Sequence, residues 1–213
     1  MANLYLSVPS DDAYWQGIFS KAVVSVDDWV YVAKALRLAT ESIGSRLDTV
    51  WEGIHGGQTC LSPDLKLHPV YLMLSSYAAE NYLKARIVVM KGWTAENIGK
   101  TLPKPLKSHE LADLCKEAGA TLTQEENDLI DRLSVYAVWA GRYPCTLARE
   151  ELRPKMVGGK ENMATFFRGS DISVAHCLLE RLESLALCGA MPALQREHKS
   201  YDEITIQERV TPW

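Results

Sequence analysis

The most constraining feature of the sequence is a stretch over residues 69–91 that is apolar on nearly every side of a helix. A helix with this pattern is normally surrounded by other elements, so we predict that it is the central helix of a bundle. Gly92 follows it and favours a helix end there. Three polar residues interrupt the apolar pattern in mid-helix, namely Glu80, Asn81 and Lys84. We expect them to be partly buried, where an unpaired charge is costly.

Start and stop signals divide the rest of the chain into further helices. Ser25 and Asp28 resemble a capping box at the start of a long amphipathic helix that ends near Gly56. Thr123 and Glu126 form a full capping box at the start of another helix. We therefore predict an all-α fold, a helical bundle of about six helices with an extended C-terminal tail.

Length and cysteine usage limit the organisation of the chain. Its 213 residues suit one domain, so we assign 1–198 to a single helical-bundle domain, with a core at about 69–188, and 199–213 to an extended tail. The five cysteines include no CxxC pair, so we expect neither disulfides nor a metal site, and no motif indicates a cofactor. No apolar run is long enough to span a membrane. We expect a cytoplasmic protein without membrane contact.

Basic residues are concentrated in two stretches. One covers 84–109, where Glu96 is the single acid and Lys104 and Lys107 are candidate binding residues, and the other covers 132–168. If the two stretches share a face, they form a surface that can hold phosphates. Otherwise they are solvated surface charge that balances the acidic helices. The net charge of −4 argues against broad electrostatic binding of nucleic acid.

A candidate site lies around the polar residues of the apolar helix. Glu80 and Lys84 have the i, i+4 spacing of a helical ion pair, and Arg142 is a candidate partner for Glu80 from another helix. Arg142 projects from a helix end between Trp139 and Tyr143. A guanidinium between aromatic rings and near a carboxylate suits phosphate binding. The alternatives are a buried ion pair that fixes the helix register and an ordinary helix-end anchor.

His109 is the candidate acid or base. It follows the proline-containing loop 99–107 and is predicted to be the first residue of a helix capped by Ser108. The positive end of a helix dipole disfavours protonation, so the imidazole is expected to be neutral and able to act as a base. The alternative is a capping or packing residue. The candidate catalytic residues are thus Arg142, Glu80 and His109, and the candidate binding residues are Lys84, Asn81, Tyr143, Lys104 and Lys107.

Three segments resemble the HEPN superfamily. They are YAAENYLKA at 77–85, SHEL at 108–111 and the helix at 129–143, within a similarity that spans about 69–144. The resemblance implies a small all-α bundle that often forms homodimers. Many HEPN proteins are metal-independent ribonucleases, among them toxins and phage-defence effectors. Others are non-catalytic partners that bind nucleotides or RNA.

The ribonuclease motif of that superfamily is missing from this chain. The motif is an arginine followed, after four to six residues, by a histidine. The nearest approach is Arg168 and His176, which have seven residues between them. Gly169 and Ser170 are expected to separate Arg168 from the helix that carries His176. The resemblance therefore implies binding more strongly than catalysis.

Three functions follow from these observations. The first is a HEPN-like homodimeric module that binds RNA, a nucleotide or a protein partner without catalysis. The second is a divergent metal-independent ribonuclease, in which Arg142 stabilises the transition state, Glu80 orients Arg142, and His109 or His176 is the general acid or base. The third is a structural helical subunit of a larger assembly.

Overall fold

The computed structural model describes residues 11–57, 62–142, 155–157, 160–162 and 167–188, with the side chains of Trp139 and of the two strands left out. The α-helices in this part of the chain are α1 Asp12–Val24, α2 Val26–His55, α3 His68–Lys91, α4 Lys104–Lys107, α5 Leu111–Glu117, α6 Gln124–Val135 and α7 Ser170–Leu187. The other elements are 3₁₀ turns at Pro63–Leu67 and Ala95–Asn97, a π-helical turn at Tyr136–Ala140, and strands β1 Lys155–Val157 and β2 Lys160–Asn162.

The apolar helix α3 is central, as its sequence predicts. It packs against α2, α5, α6 and α7 and against the π-helical turn. Its buried apolar residues belong to one hydrophobic cluster with residues of all these helices. Because so little of α3 is in contact with water, polar groups on it need partners inside the protein. The described residues confirm the predicted all-α helical bundle.

The predicted capping signals also form. The Ser25 hydroxyl accepts a hydrogen bond from the Asp28 backbone N–H at 3.2 Å at the start of α2. Thr123 and Glu126 make both hydrogen bonds of a capping box at the start of α6. Each contact satisfies a backbone N–H that the first helical turn leaves without a partner. Gly92 ends α3 with φ +59°, a conformation that glycine adopts without strain.

Two boundaries differ from the prediction. The predicted loop 99–107 contains the short helix α4, which Pro105 allows because a proline in the first helical turn removes no intrahelical hydrogen bond. The next helix begins at Leu111 rather than at His109, because Ser108 and Glu110 are both extended. His109 therefore precedes the helix cap, and the predicted effect of a helix N-terminus on its imidazole has no structural basis.

The end of α6 is wound differently from the predicted α-helix. After Val135 the backbone continues as the π-helical turn up to Ala140, and Gly141 follows. A Cβ atom on Gly141 would lie 2.5 Å from the Met73 Cβ, so the close approach to α3 requires glycine. π-Helical turns widen a helix locally and leave carbonyls open to other donors.

The C-terminal part of the described chain contains a short two-stranded ribbon. β1 and β2 pair antiparallel, with Val157 opposite Lys160. Residues 199–213, predicted to be an extended tail, lie outside the described residues. Among the helices in the part of the chain that the structure describes, none combines the length and the apolar composition that a membrane span requires.

Candidate functional site

The centre of the candidate site is the Glu80 carboxylate on α3, which is 7% exposed. The Lys84 ammonium donates to Glu80 Oε1 at 2.6 Å, as the i, i+4 spacing predicts. His109 Nδ1 lies 3.1 Å from both carboxylate oxygens. Glu80 therefore joins a residue of its own helix to a residue of the segment between α4 and α5.

Lys84 is a buried cation with two partners. It is 3% exposed, and its Nζ lies over the Trp29 ring of α2 at 5.9 Å from the ring centre. A carboxylate and an aromatic face together offset part of the cost of removing an ammonium from water. Lys84 thus neutralises Glu80 from inside the bundle.

His109 is the exposed member of the cluster. Its side chain is 65% exposed, although its partner Glu80 is buried. Because an ionised carboxylate only accepts hydrogen bonds, Nδ1 must be the donor, and this contact fixes the orientation of the ring. In the described part of the chain no residue bonds to the other ring nitrogen, Nε2. Nε2 is thus available to exchange a proton or to bond a ligand oxygen.

The predicted pairing of Arg142 with Glu80 is wrong for the described residues. The Arg142 guanidinium donates from Nη2 to the carbonyls of Ala137 and Val138 at 2.8 and 2.6 Å. Tyr77 of α3 donates its hydroxyl to the same Ala137 carbonyl at 3.1 Å. The open carbonyls of the π-helical turn attract Arg142, and Lys84 and His109 take its predicted place at Glu80. Tyr143 lies outside the described residues.

The other predicted binding residues occupy different environments. Asn81 is half-buried and donates to the Tyr77 carbonyl at 2.7 Å, a bond within α3. Lys104 and Lys107 are exposed on α4, and Lys107 donates to the Thr101 hydroxyl at 3.3 Å. The two lysines and His109 are therefore on the same short connection, whereas Asn81 belongs to the packing of α3.

Sequence reasoning missed an aromatic contribution from α1. Tyr14 and Trp15 are 47% and 45% exposed, and their rings meet edge to face at 5.2 Å. Two contacts join α1 to residues 99–100, at the start of the segment that carries Lys104 and Lys107. The Gln16 amide donates to the Gly99 carbonyl at 3.2 Å, and Asp12 forms an ion pair with Lys100 at 3.2 Å. The signal in the sequence was an adjacent aromatic pair on a weakly amphipathic helix.

Sequence reasoning also missed a second buried ion pair. Arg132 of α6 makes a bidentate contact with Asp171 at the start of α7, with Nη2 to Oδ1 at 2.7 Å. Their side chains are 3% and 2% exposed. The alternative of solvated surface charge is therefore wrong for Arg132, whereas Lys84 is buried as expected. In a single sequence nothing connects two residues that are 39 positions apart.

The nearest approach to the ribonuclease motif does not form one. Arg168 precedes α7 as predicted, but only Gly169 separates it from the helix, because Ser170 is the first residue of α7. The Arg168 backbone N–H donates to Asp171 at 2.8 Å. His176 Nε2 lies 3.3 Å from Glu180 Oε1 of α7, and its Nδ1 lies 3.7 Å from Glu41 Oε1 of α2. His176 and His109 therefore belong to separate parts of the surface.

The chain matches no protein-family model, no curated protein and no solved structure.

Proposed function

We propose that this protein binds single-stranded RNA, without cleaving it, through a surface that we name the loop face. The loop face consists of Trp15 on α1 with Lys100, Lys104, Lys107 and His109. The observation that carries the proposal is His109, a 65% exposed imidazole held by a buried carboxylate at the end of a basic segment. Residues 97–109 contain no acidic residue.

The charges of the loop face suit a phosphate backbone. Lysines neutralise phosphates as point charges and release counterions, which gives binding that weakens steeply with salt. His109 adds an oriented donor or acceptor at Nε2, because Nδ1 is occupied by Glu80. A protein of net charge −4 does not attract nucleic acid over its whole surface, so a local basic segment is the relevant feature.

The aromatic rings suit unpaired bases. Bases of single-stranded RNA stack on aromatic side chains, and this contact depends little on base identity. Trp15 follows Asp12 by about one helical turn, and Asp12 is paired with Lys100 at 3.2 Å. A base stacked on Trp15 would therefore have its phosphate near Lys100.

The resemblance to HEPN proteins supports the same proposal. We propose a HEPN-like homodimeric module in the cytoplasm, as the segments 77–85 and 108–111 imply. The Glu80–His109 contact joins one of these segments to the other. Sedimentation-velocity analysis tests the homodimer, and a single species with the mass of one chain would reject it.

The test of RNA binding is fluorescence anisotropy of a labelled single-stranded RNA in EDTA over a series of salt concentrations. We expect the double variant Lys104→Ala/Lys107→Ala to weaken binding and to reduce the slope of log affinity against log salt by about 1 to 2. Trp15→Ala should weaken binding by about 1–3 kcal/mol without changing that slope.

A matched control is Lys116→Ala, which removes an 80% exposed lysine at the end of α5, outside the loop face. It should leave the affinity unchanged apart from a small uniform electrostatic loss. Absence of measurable RNA binding by the wild type at low salt, or equal losses for Lys116→Ala and the α4 variants, would reject the loop face as the binding surface.

A second candidate function is RNA cleavage, which the Glu80–His109 contact favours. A carboxylate that holds Nδ1 at 3.1 Å leaves Nε2 of the imidazole to act as general acid or base. The geometry does not give Arg142 the predicted role beside Glu80, since its guanidinium is bonded to carbonyls of the π-helical turn.

Cleavage of the same RNA in EDTA tests this candidate. His109→Ala should reduce any cleavage rate by about 10²- to 10⁴-fold, because it removes the proton-transfer group. His176→Ala is the matched control, since it removes another partly exposed histidine that also contacts a carboxylate. Binding without cleavage supports the binding module, and cleavage that survives His109→Ala rejects this dyad as the active site.

A further inference from the structure

A surface groove of about 520 Å³ runs between α2 and α7. Arg37, Glu41 and Asp48 of α2 lie along one side, and Ser173 and His176 of α7 lie along the other. Tyr71 of α3 forms part of the floor. Pockets that hold small molecules have volumes of roughly 300–1,000 Å³, so the groove is large enough for one.

The floor of the groove is apolar. Tyr71, Ile172 and Leu179 line it, and each is less than 9% exposed. Gly44 keeps the floor open, because a Cβ at this position would lie 3.1 Å from the Tyr71 ring and 3.5 Å from Ile172. An alkyl chain laid along this floor would bury apolar surface on both molecules.

The groove is separate from the loop face. Tyr71 and Glu80 are nine residues apart on α3, which places them about 180° apart around the helix axis. α3 and its neighbours therefore lie between the groove and His109. A ligand in the groove does not touch the residues proposed to bind RNA.

One end of the groove carries an excess of negative charge. Arg37 and Glu41 line this end, and they belong to an ion-pair network that extends beyond the groove to Lys34, Glu180 and Glu183. Its three carboxylates exceed its two cations by one charge. His176 lies between two of these carboxylates, at 3.7 Å from Glu41 and 3.3 Å from Glu180. An ammonium group at this end would balance the remaining charge.

The other end carries Asp48. It follows Glu41 by seven residues, or about 10.5 Å along α2. No described residue forms a hydrogen bond or an ion pair with its carboxylate. Partial burial and the neighbouring Glu52 raise the pKa of Asp48 above its ordinary value, and burial together with Asp48 raises the pKa of the Tyr71 hydroxyl. A cation at Asp48 would oppose both of these pKa shifts.

We propose that the groove binds a linear aliphatic diamine or polyamine, whose methylene chain lies on Tyr71, Ile172 and Leu179 and whose terminal ammonium groups reach Glu41 and Asp48. Two negative ends separated by an apolar floor match a dication with an alkyl centre. A monoamine satisfies one end and leaves the other unbalanced.

The test is isothermal titration of the full chain with 1,8-diaminooctane and with 8-amino-1-octanol, which replaces one ammonium by a hydroxyl. We expect the diamine to bind the wild type about tenfold more tightly, the effect of one charge-assisted contact. In Asp48→Asn the two compounds should bind alike. Asp48 is only partly covered and keeps much of its surface in water, so the variant is expected to fold.

Glu52→Gln is the matched control, because it removes a neighbouring α2 carboxylate that does not line the groove. It should keep the preference for the diamine, and His109→Ala should keep it as well. Equal affinities of the wild type for the two compounds would overturn the proposal. Equal loss of the preference in Glu52→Gln and Asp48→Asn would also overturn it, because it would indicate diffuse attraction to α2.

Discussion

The Glu80–Lys84 pair on α3 and the Arg132–Asp171 pair between α6 and α7 are both buried, but they are connected to the surface differently. Glu80 also bonds His109, whose side chain is 65% exposed. The described bonds of the Asp171 carboxylate go to Arg132 and to the Arg168 backbone N–H, and both members of the pair are at most 3% exposed. One pair thus supports a surface group, and the other joins two helices.

The surroundings of the Arg132–Asp171 pair are also buried. Tyr136 lies beside it and is 1% exposed. Burial raises the pKa of the Tyr136 hydroxyl to about 12, although Arg132 opposes this shift. A buried ion pair in such an environment fixes how helices meet and contributes little net stability. Burial of a charge alone therefore does not mark a functional site, and our proposal rests on the connection of Glu80 to the exposed imidazole of His109.

The largest expected loss of stability comes from breaking the Arg132–Asp171 pair between α6 and α7. Asp171→Asn leaves the Arg132 guanidinium buried without its charge partner, so we expect it to lower the free energy of unfolding by about 3–5 kcal/mol. Urea denaturation followed by circular dichroism measures this change. The control is Asp113→Asn, which removes a 71% exposed acid on α5 and should change stability by less than about 0.5 kcal/mol. Equal effects of the two variants would contradict a structural role for Asp171.

An intermediate loss of stability is expected when the charge of Lys84 is removed. Lys84→Met keeps the volume and apolar contacts of the side chain but removes the ammonium from Glu80. Because His109 still donates to the carboxylate, we expect a loss of about 1–3 kcal/mol, smaller than that of Asp171→Asn. The same urea denaturation measures it. A loss larger than that of Asp171→Asn would show that His109 does not support Glu80 in the absence of Lys84.

The smallest effect on stability is expected at His109. His109→Ala removes a mostly exposed side chain, so the free energy of unfolding should fall by less than about 1 kcal/mol. RNA affinity should fall about tenfold, since the fixed donor or acceptor is lost. Urea denaturation measures the stability of the variant and fluorescence anisotropy measures its RNA affinity, both on the same preparation. A loss of stability comparable with that of Lys84→Met would make His109 a packing residue.

The sequence alone predicted the parts of this structure that depend on neighbouring residues. The apolar pattern of 69–91, the capping box of Thr123 and Glu126, and the i, i+4 pair of Glu80 and Lys84 are all local features, and all of them form. Local side-chain chemistry acts within one or two helical turns, so one sequence contains its signals.

Features that depend on how distant segments meet were not predictable. The π-helical turn offers the Ala137 and Val138 carbonyls to Arg142, and Gly141 beyond it lies close to Met73 of α3. The partner of Asp171 is a residue that looks like surface charge on an amphipathic helix. Such contacts follow from tertiary packing, to which the local pattern of one helix contributes no information.

The most direct test of the central claim is a nuclear magnetic resonance titration with single-stranded RNA that follows the His109 imidazole and the Arg132 guanidinium. We predict that the His109 resonances shift and saturate over the concentrations at which anisotropy reports binding, while the Arg132 resonances stay in place. Binding of RNA with an unchanged His109, or with Arg132 shifted as much as His109, would contradict the assignment of Glu80 and His109 to function and of Arg132 and Asp171 to structure.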